Sequence, residues 1–312
     1  MGVIEVQAPG LLTTVQDLGR EGFGPLGVSP SGAADAISLR TGNQLVGNAQ
    51  GEAGLEMTLL GGTFAFPDGA VLALAGSDFG ATLDGESVEL WISFEAKPRQ
   101  VLRLGPTRSG ARCYLCVRGG IETKLFLGSA STHLLSGLGG HQGRALRKGD
   151  LLKVGSAKGA LRKRTLATAS LKDLAPGKVL RATPGPQGEW FSQAAQRAFF
   201  EGTYRVAEES NRMGLRLEGP PIPDGAHGEM TSEGVSLGAI QIAAGGLPIV
   251  LFVEQQTTGG YPKIANVISA DLHSLGQLRP RDEIRFEPVD FATARALLIK
   301  QEKLLASENL IV

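Results

Sequence analysis

The chain has 312 residues but only two cysteines, Cys113 and Cys116, and aromatic residues make up just 5 % of it. The cysteines form one Cys-x-x-Cys with no second pair, so no four-cysteine zinc site can be assembled. The segment Ala111–Val117 reads as a strand, on which residues three apart face opposite sides, so the two thiols do not meet. Unpaired thiols also fit a reducing compartment. Neither sign of charge is in excess: Lys plus Arg and Asp plus Glu number 31 each. With no basic field to attract nucleic acid or an anionic membrane, neither is expected as a partner. Long hydrophobic runs are missing too. The longest, Ala239 to Val253, is broken by Gln241, Gly245, Gly246 and Pro248 and falls short of the roughly 20 residues a membrane helix needs. The N-terminus (MGVIEVQAPG) shows no basic segment followed by an apolar one, and Val6 stands where a myristoylation signal wants Ser or Thr. These absences point to the cytoplasm.

Motifs for several common chemistries are also missing. No GxxxxGK[ST] occurs, since Gly177-Lys178 is followed by Val179. His133, His141, His227 and His273 show neither HxH nor HExxH spacing, so no metal site is expected. There is no GxSxG elbow; Gly128-Ser129-Ala130-Ser131 lacks the second glycine. The run Gly137 to Arg144 offers backbone N–H groups and one Arg, but it does not follow a clear strand and open a helix. It reads as a hairpin loop or, alternatively, an anion nest.

Glycine is abundant, 44 of 312 residues, about twice the usual ~7 %. Spread through apolar runs without a triplet period, it implies many tight turns between short strands. Strands are predicted at Val3–Val6, Leu55–Leu60, Val71–Ala75, Val88–Ile92, Val101–Leu104, Cys113–Val117, Leu151–Val154, Val179–Ala182, Thr203–Val206, Leu215–Leu217, Ile240–Ala243, Ile249–Val253 and Ile284–Phe286. Three helices are predicted: one capped by Ser31 and running to about Val46, one over Glu189–Phe200, and one capped by Asp290. The last has Phe291, Ala294, Leu297, Leu298 and Leu305 as its apolar face. The basic, Ala- and Ser-rich stretch Lys153–Lys172, with Lys158, Arg162, Lys163 and Arg164, reads as an interdomain linker before Ala175-Pro176-Gly177. Pro9-Gly10 and Pro184-Gly185, and likewise Asp68-Gly69 and Gly245-Gly246, recur at nearly equal offsets, as in a duplicated β domain. The expected division is 1–170 and 175–312.

Three polar segments concentrate directional groups between glycines: Thr13–Asp35, Ser210–Gly219 and Glu254–Lys263. All three are read as loops. The last follows the very apolar Ile249–Val253, so a buried strand delivers amides, hydroxyls and a lysine to a sheet end. Local Asx and Ser turns, a surface ion pair at Arg212 and a wide Gly-Gly hairpin are the structural alternatives.

The strings TTVQDLGR (13–20), GVSPSGAAD (27–35), LVGN (45–48), RGGI (118–121), LGSAST (127–132), GGHQGRALRKGD (139–150), SNRMGLRLEG (210–219), SEGVSLGAIQI (232–242) and QTTGGYPKIA (256–265) resemble the carboxyltransferase-domain family in consistent order. That family includes 5-oxoprolinase C-type subunits, proteins labelled allophanate hydrolase subunit 2, a sporulation-kinase regulator and the carboxyltransferase part of urea carboxylase. The resemblance implies a mainly β, β-rich α+β chain of two cyclophilin-like β-barrel domains with few peripheral helices. Glu254-Gln255 stand where the family usually has Asp-Arg, and Ser77 where it often has Ala.

The resemblance favours one subunit of an ATP-dependent 5-oxoprolinase, opening 5-oxo-L-proline to L-glutamate with two partner subunits of A and B type. ATP, with Mg, belongs to that complex. No Met precedes a Lys, so this chain carries no biotin. A biotin-dependent carboxyltransferase acting on urea or a related amide, and a non-catalytic regulator binding a kinase-inhibitor protein, remain the alternatives. Amide opening needs donors for a developing oxyanion and cations for phosphate. Arg20, Arg212 and Lys263 are the candidate cations. Thr14, Gln16, Ser232, Gln256, Thr257 and Thr258 are the candidate hydrogen-bonding groups, and Asp17, Asp78 or Glu233 the candidate base. Arg212 and Lys263 are expected to line one site, and replacing either with Ala is expected to leave stability nearly unchanged, as for exposed ion pairs.

Overall fold

Short aliphatic and β-branched runs between Gly, Pro and Asp turns become strands here because each buries at least one face. The computed structural model describes residues 2–157, 159, 162–223 and 230–312; Lys158 of the expected linker and His227 lie outside them. The chain is mainly β. It divides into two units, one holding the residues up to Arg20, Ser31–Leu174 and Leu305–Val312, the other Glu21–Pro30 and Ala175–Leu304. Among the described residues, no helix is long and apolar enough to cross a membrane.

In the first unit, one sheet runs in the order Ile121–Glu122, Leu151–Val154, Gly2–Ala8, Thr63–Phe66, Gln100–Arg103, Thr82–Leu83, Glu86–Ser87. The other runs Leu12–Gln16, Gly54–Thr58, Arg112–Val117, Ala70–Gly76, Ser93–Ala96. Ile4, Val6, Phe64, Phe66 and Leu102 of the first meet Val15, Leu55, Leu72 and Leu115 of the second in one apolar core. The helix Ala36–Leu45 packs on Ala70–Gly76 and Arg112–Val117. The two cysteines do face opposite sides: Cys113 lies in the core between the sheets, and the Cys116 thiol lies against the helix at Leu39 and Gly42. Burial pushes the Cys116 thiol up to about 12, so neither cysteine is a ready nucleophile.

The second unit is a closed barrel in the order Val179–Pro184, Lys263–Val267, Ala239–Ile242, Pro248–Leu251, Gly214–Glu218, Tyr204–Val206, Glu283–Pro288. It is closed by the parallel pairing of the first and last of these. Residues in register carry buried apolar side chains: Leu180 with Phe286, Ala182 with Val267, Ile240 with Ala265 and Val250, Tyr204 with Ile284. Phe199 of the helix Gln193–Glu201 stacks on Phe286 at 4.8 Å.

Several predicted elements are corrected. Ser31 does not cap the first helix. It has φ +56°, and Asp35 takes the cap, its Oδ1 accepting the Ser38 N–H at 2.9 Å. The expected helix over Glu189–Phe200 begins at Gln193, where Ser192 caps it. Val88–Ile92 is no strand, because Trp91 adopts φ +64° and interrupts the extended run. Leu12–Gln16, Thr63–Phe66 and Lys263–Val267 are strands that the pattern missed. Leu151–Val154 is a strand as expected, and part of the expected linker after it is folded: Arg164 donates from Nη1 to Gln44 O at 2.8 Å, and Thr168–Asp173 is a helix. Asp290 caps the terminal helix Phe291–Leu305 as expected, accepting Thr293 N–H at 2.7 Å. Of its expected apolar face, however, Phe291 is 70 % exposed, while Leu305 is buried.

Candidate functional site

The candidates of the first unit are held in its own hydrogen bonding. Thr13–Gln16 is strand, not loop, and runs beside Gly54–Thr58. Gln16 Nε2 donates to Thr14 Oγ1 at 3.0 Å and to Thr132 O at 3.1 Å. The Asp17 carboxylate accepts four donors: Gly19 N–H at 2.8 Å, Ser129 Oγ at 2.7 Å, Ala130 N–H at 2.6 Å and Ser131 Oγ at 2.5 Å. A carboxylate so occupied has little capacity left to take a proton from a reactant. Arg20 donates to Ser131 O and to Phe126 O, and its guanidinium lies 5.4 Å from the centre of the Phe126 ring. This knot ties the residues after the strand to Phe126–Thr132. Asp78 stands apart at the surface, with hydrogen bonds to Gly80, Arg108 and Ser109. In the glycine-rich run, Arg144 is spent on Asp150 with contacts of 2.8 and 2.9 Å, which leaves a braced loop rather than an open anion nest.

The candidates of the second unit converge. Glu233 and Gly234 pair with Gly259 and Thr258 in a two-stranded ladder, and Val235 N–H donates to Thr257 O at 3.1 Å. Ser232 and Gln256 flank the same ladder, beside Gly260 and Gly259 respectively. Lys263 opens the barrel strand Lys263–Val267 and is only 2 % exposed, yet its Nζ lies 2.5 Å from Oε1 of the half-exposed Glu233. Gln187 clamps the pair. Its Nε2 donates to Glu233 Oε1 at 2.9 Å, and its Oε1 accepts Lys263 N–H at 3.2 Å. The Lys263 hydrogen bond, and then that of Gln187, hold the Glu233 carboxyl below the ordinary glutamate range. The sequence reading overlooked Gln187 and Gln241. Gln187 follows the Pro184-Gly185 turn, and Gln241 is the lone amide in an otherwise apolar strand; both signals are visible in the sequence.

Arg212 is placed elsewhere. It precedes Gly214–Glu218, whose start pairs with the end of Pro248–Leu251, whereas Lys263 pairs with Gln241 near the end of Ala239–Ile242. Through these registers Gly214 is level with Leu251 and Lys263 with Ile249, two residues further back along that strand. Arg212 Nε lies 2.5 Å from Glu254 Oε1, the two side chains 6 % and 4 % exposed. The departure at Glu254 thus supplies the counter-charge of a buried arginine. The expectation that replacing Arg212 leaves stability unchanged is overturned, because a buried pair that loses one partner leaves an uncompensated charge.

These features define a β-barrel protein in which an ammonium, a carboxylate and amides gather around one ladder as the candidate site. The chain belongs to the carboxyltransferase domain family, subdomains A and B, which it matches over residues 26–288. It is 38 % identical to the C-type subunit of 5-oxoprolinase from Escherichia coli K12 over 301 residues, 96 % of this chain and 95 % of that protein. The corresponding 5-oxoprolinase protein of Haemophilus influenzae is 35 % identical over 93 % of this chain and 92 % of its own length. The crystal structure of the K. lactis urea amidolyase matches with a TM-score of 0.89 at 32 % identity, covering 99 % of this chain and 21 % of that one.

Proposed function

We propose that this chain is the C-type subunit of an ATP-dependent 5-oxoprolinase that opens 5-oxo-L-proline to L-glutamate together with A- and B-type subunits. The observation that carries this reading is the near end-to-end match with the C-type subunit of the Escherichia coli 5-oxoprolinase, 96 % of one chain against 95 % of the other. The amide of a lactam is inert until its carbonyl oxygen is activated, and ATP supplies that activation by phosphorylation. ATP does not suit the Lys263 cluster. A triphosphate calls for several cations or a cradle of N–H groups. Among the described residues the cluster offers one ammonium, already paired with Glu233. ATP is therefore assigned to the partner subunits, and no step is routed through it here. Lys263 is the charge that faces the reacting amide. Glu233, kept ionised at neutral pH, is better suited as the counter-ion that orients this ammonium than as a base poised near neutrality.

The test is reconstitution with the two partner subunits. Expected are ATP-dependent glutamate formation by the complex and none by this chain alone. Robust turnover by the chain alone overturns the subunit reading. A second reading, a carboxyltransferase for urea or a related amide with biotin on another protein, draws on the TM-score of 0.89 with urea amidolyase. It predicts avidin-sensitive carboxylation of urea in place of lactam opening.

A further inference from the structure

Beside Glu233, one buried donor lacks an acceptor and a second has Glu233 as its partner. Gln241 stands in register with Lys263 on the neighbouring strand, and each is 2 % exposed. Gln241 Nε2 has no hydrogen-bond partner among the described residues, and Lys263 Nζ has none beyond its ion pair with Glu233. An unpaired buried donor is destabilising, and buried polar groups are nearly always paired. A lone amide within an apolar strand is thus an expensive choice unless a ligand brings the acceptor. Only a glycine fits beside this amide. Gly259 lies opposite Glu233, and a Cβ there would come 2.4 Å from Gln241 Nε2.

Charge decides the class of that acceptor. The Lys263 ammonium is already neutralised by Glu233. A carboxylate seated on these two donors would add a second negative charge where only one positive charge is available, and burying an uncompensated charge is costly. A neutral carbonyl oxygen accepts both donors without adding charge, and Lys263 then stabilises negative charge as it develops on that oxygen. We infer that Gln241 Nε2 and Lys263 Nζ together seat the carbonyl oxygen of the substrate amide, with Gln241 selecting an amide carbonyl over a carboxylate oxygen at this position. This rests on the reading of the ladder as an amide-handling site, not on which amide is handled.

The experiment is a titration of the ¹⁵N-labelled full chain with 5-oxo-L-proline, urea, L-proline and acetate. The side-chain amide signals of Gln241 are followed, assigned by their loss in Gln241→Leu. Both amides are expected to shift them, and L-proline and acetate are not. Gln241→Leu should keep the wild-type melting temperature, since no hydrogen bond within the protein is lost, and should weaken binding of the amides about tenfold. The inference is overturned if no probe shifts the signals, if the carboxylates shift them as strongly as the amides, or if the folded variant binds the amides unchanged. Should Gln241→Leu misfold, Gln241→Met supplies the assignment and the wild-type titration decides. If urea shifts the signals and 5-oxoproline does not, the carbonyl seat stands and the 5-oxoprolinase reading fails.

Discussion

Arg212 and Lys263 carry the same charge and are equally hidden, yet their partners give them opposite roles. Glu254 is as buried as Arg212, so Arg212→Ala strands a carboxylate in the interior. A loss of about 3–5 kcal/mol is expected in denaturant unfolding. Glu233 is 44 % exposed and can be rehydrated when its lysine is removed. Lys263→Met, which fills the space with an apolar chain of similar length, is therefore expected to leave stability nearly unchanged. In the reconstituted complex it should lose about 2–4 kcal/mol of transition-state stabilisation, measured as kcat/KM. The same variant should return the Glu233 carboxyl toward its ordinary pKa, because the lysine is the main cause of its lowering. A carboxyl ¹³C titration checks this, and an unmoved Glu233 would show that the pair does not persist in solution.

Elements respond to contacts that local pattern does not reveal. Alanine is a better helix former than glycine by about 1 kcal/mol, so Gly42 in the helix Ala36–Leu45 invites replacement. A Cβ there would lie 2.7 Å from the Cys116 sulfur and 3.2 Å from the Ala75 Cβ, both buried. Gly42→Ala is expected to destabilise by about 1–3 kcal/mol, overpacking outweighing propensity; a gain in unfolding midpoint would contradict this packing. The loop after Gly139 depends on Asp150. The hydrogen bonds from Arg144 lead in holding this carboxyl down to about 2, with the Arg147 N–H and the charge of His141 adding to them against the opposing effect of burial. A lowered folded pKa means stability that is present above the unfolded value, near 4, and lost as pH falls through about 2. A loss of about 2 kcal/mol is expected across that window, and Asp150→Asn should flatten it.

At the scale of the whole molecule, the chain is not cut cleanly at its middle. Leu305–Val312 belongs to the first unit, where Thr165 and Val312 exchange two backbone hydrogen bonds of 2.8 Å and Ala167 donates to Leu310 O at 2.9 Å. Leu310 is fully buried. Leu310→Ala is thus expected to cost about 2–5 kcal/mol. Limited proteolysis should show the loss as faster cleavage near Thr165, whereas unchanged protection there would mean that the C-terminal segment is not docked.

The sequence by itself settled the strand-rich class, the position of most apolar strands and the separation of the two cysteines. Those follow from period-two patterning and turn residues, which are local properties. Resemblance in nine short strings also brought out Glu233, Gln256–Thr258 and Lys263, which do gather around one ladder. What only the tertiary structure decided is pairing. Thr13–Gln16 reads as a polar loop until its side chains are seen bonding inside a buried strand. Asp17 reads as a base until four donors close on it. Arg212 reads as an anion clamp until Glu254, 42 residues away, takes its charge. A polar side chain buried in a strand is indistinguishable in sequence from one in a loop, because its partner comes from a distant segment. Whether such a group binds the fold or a ligand depends on that partner alone.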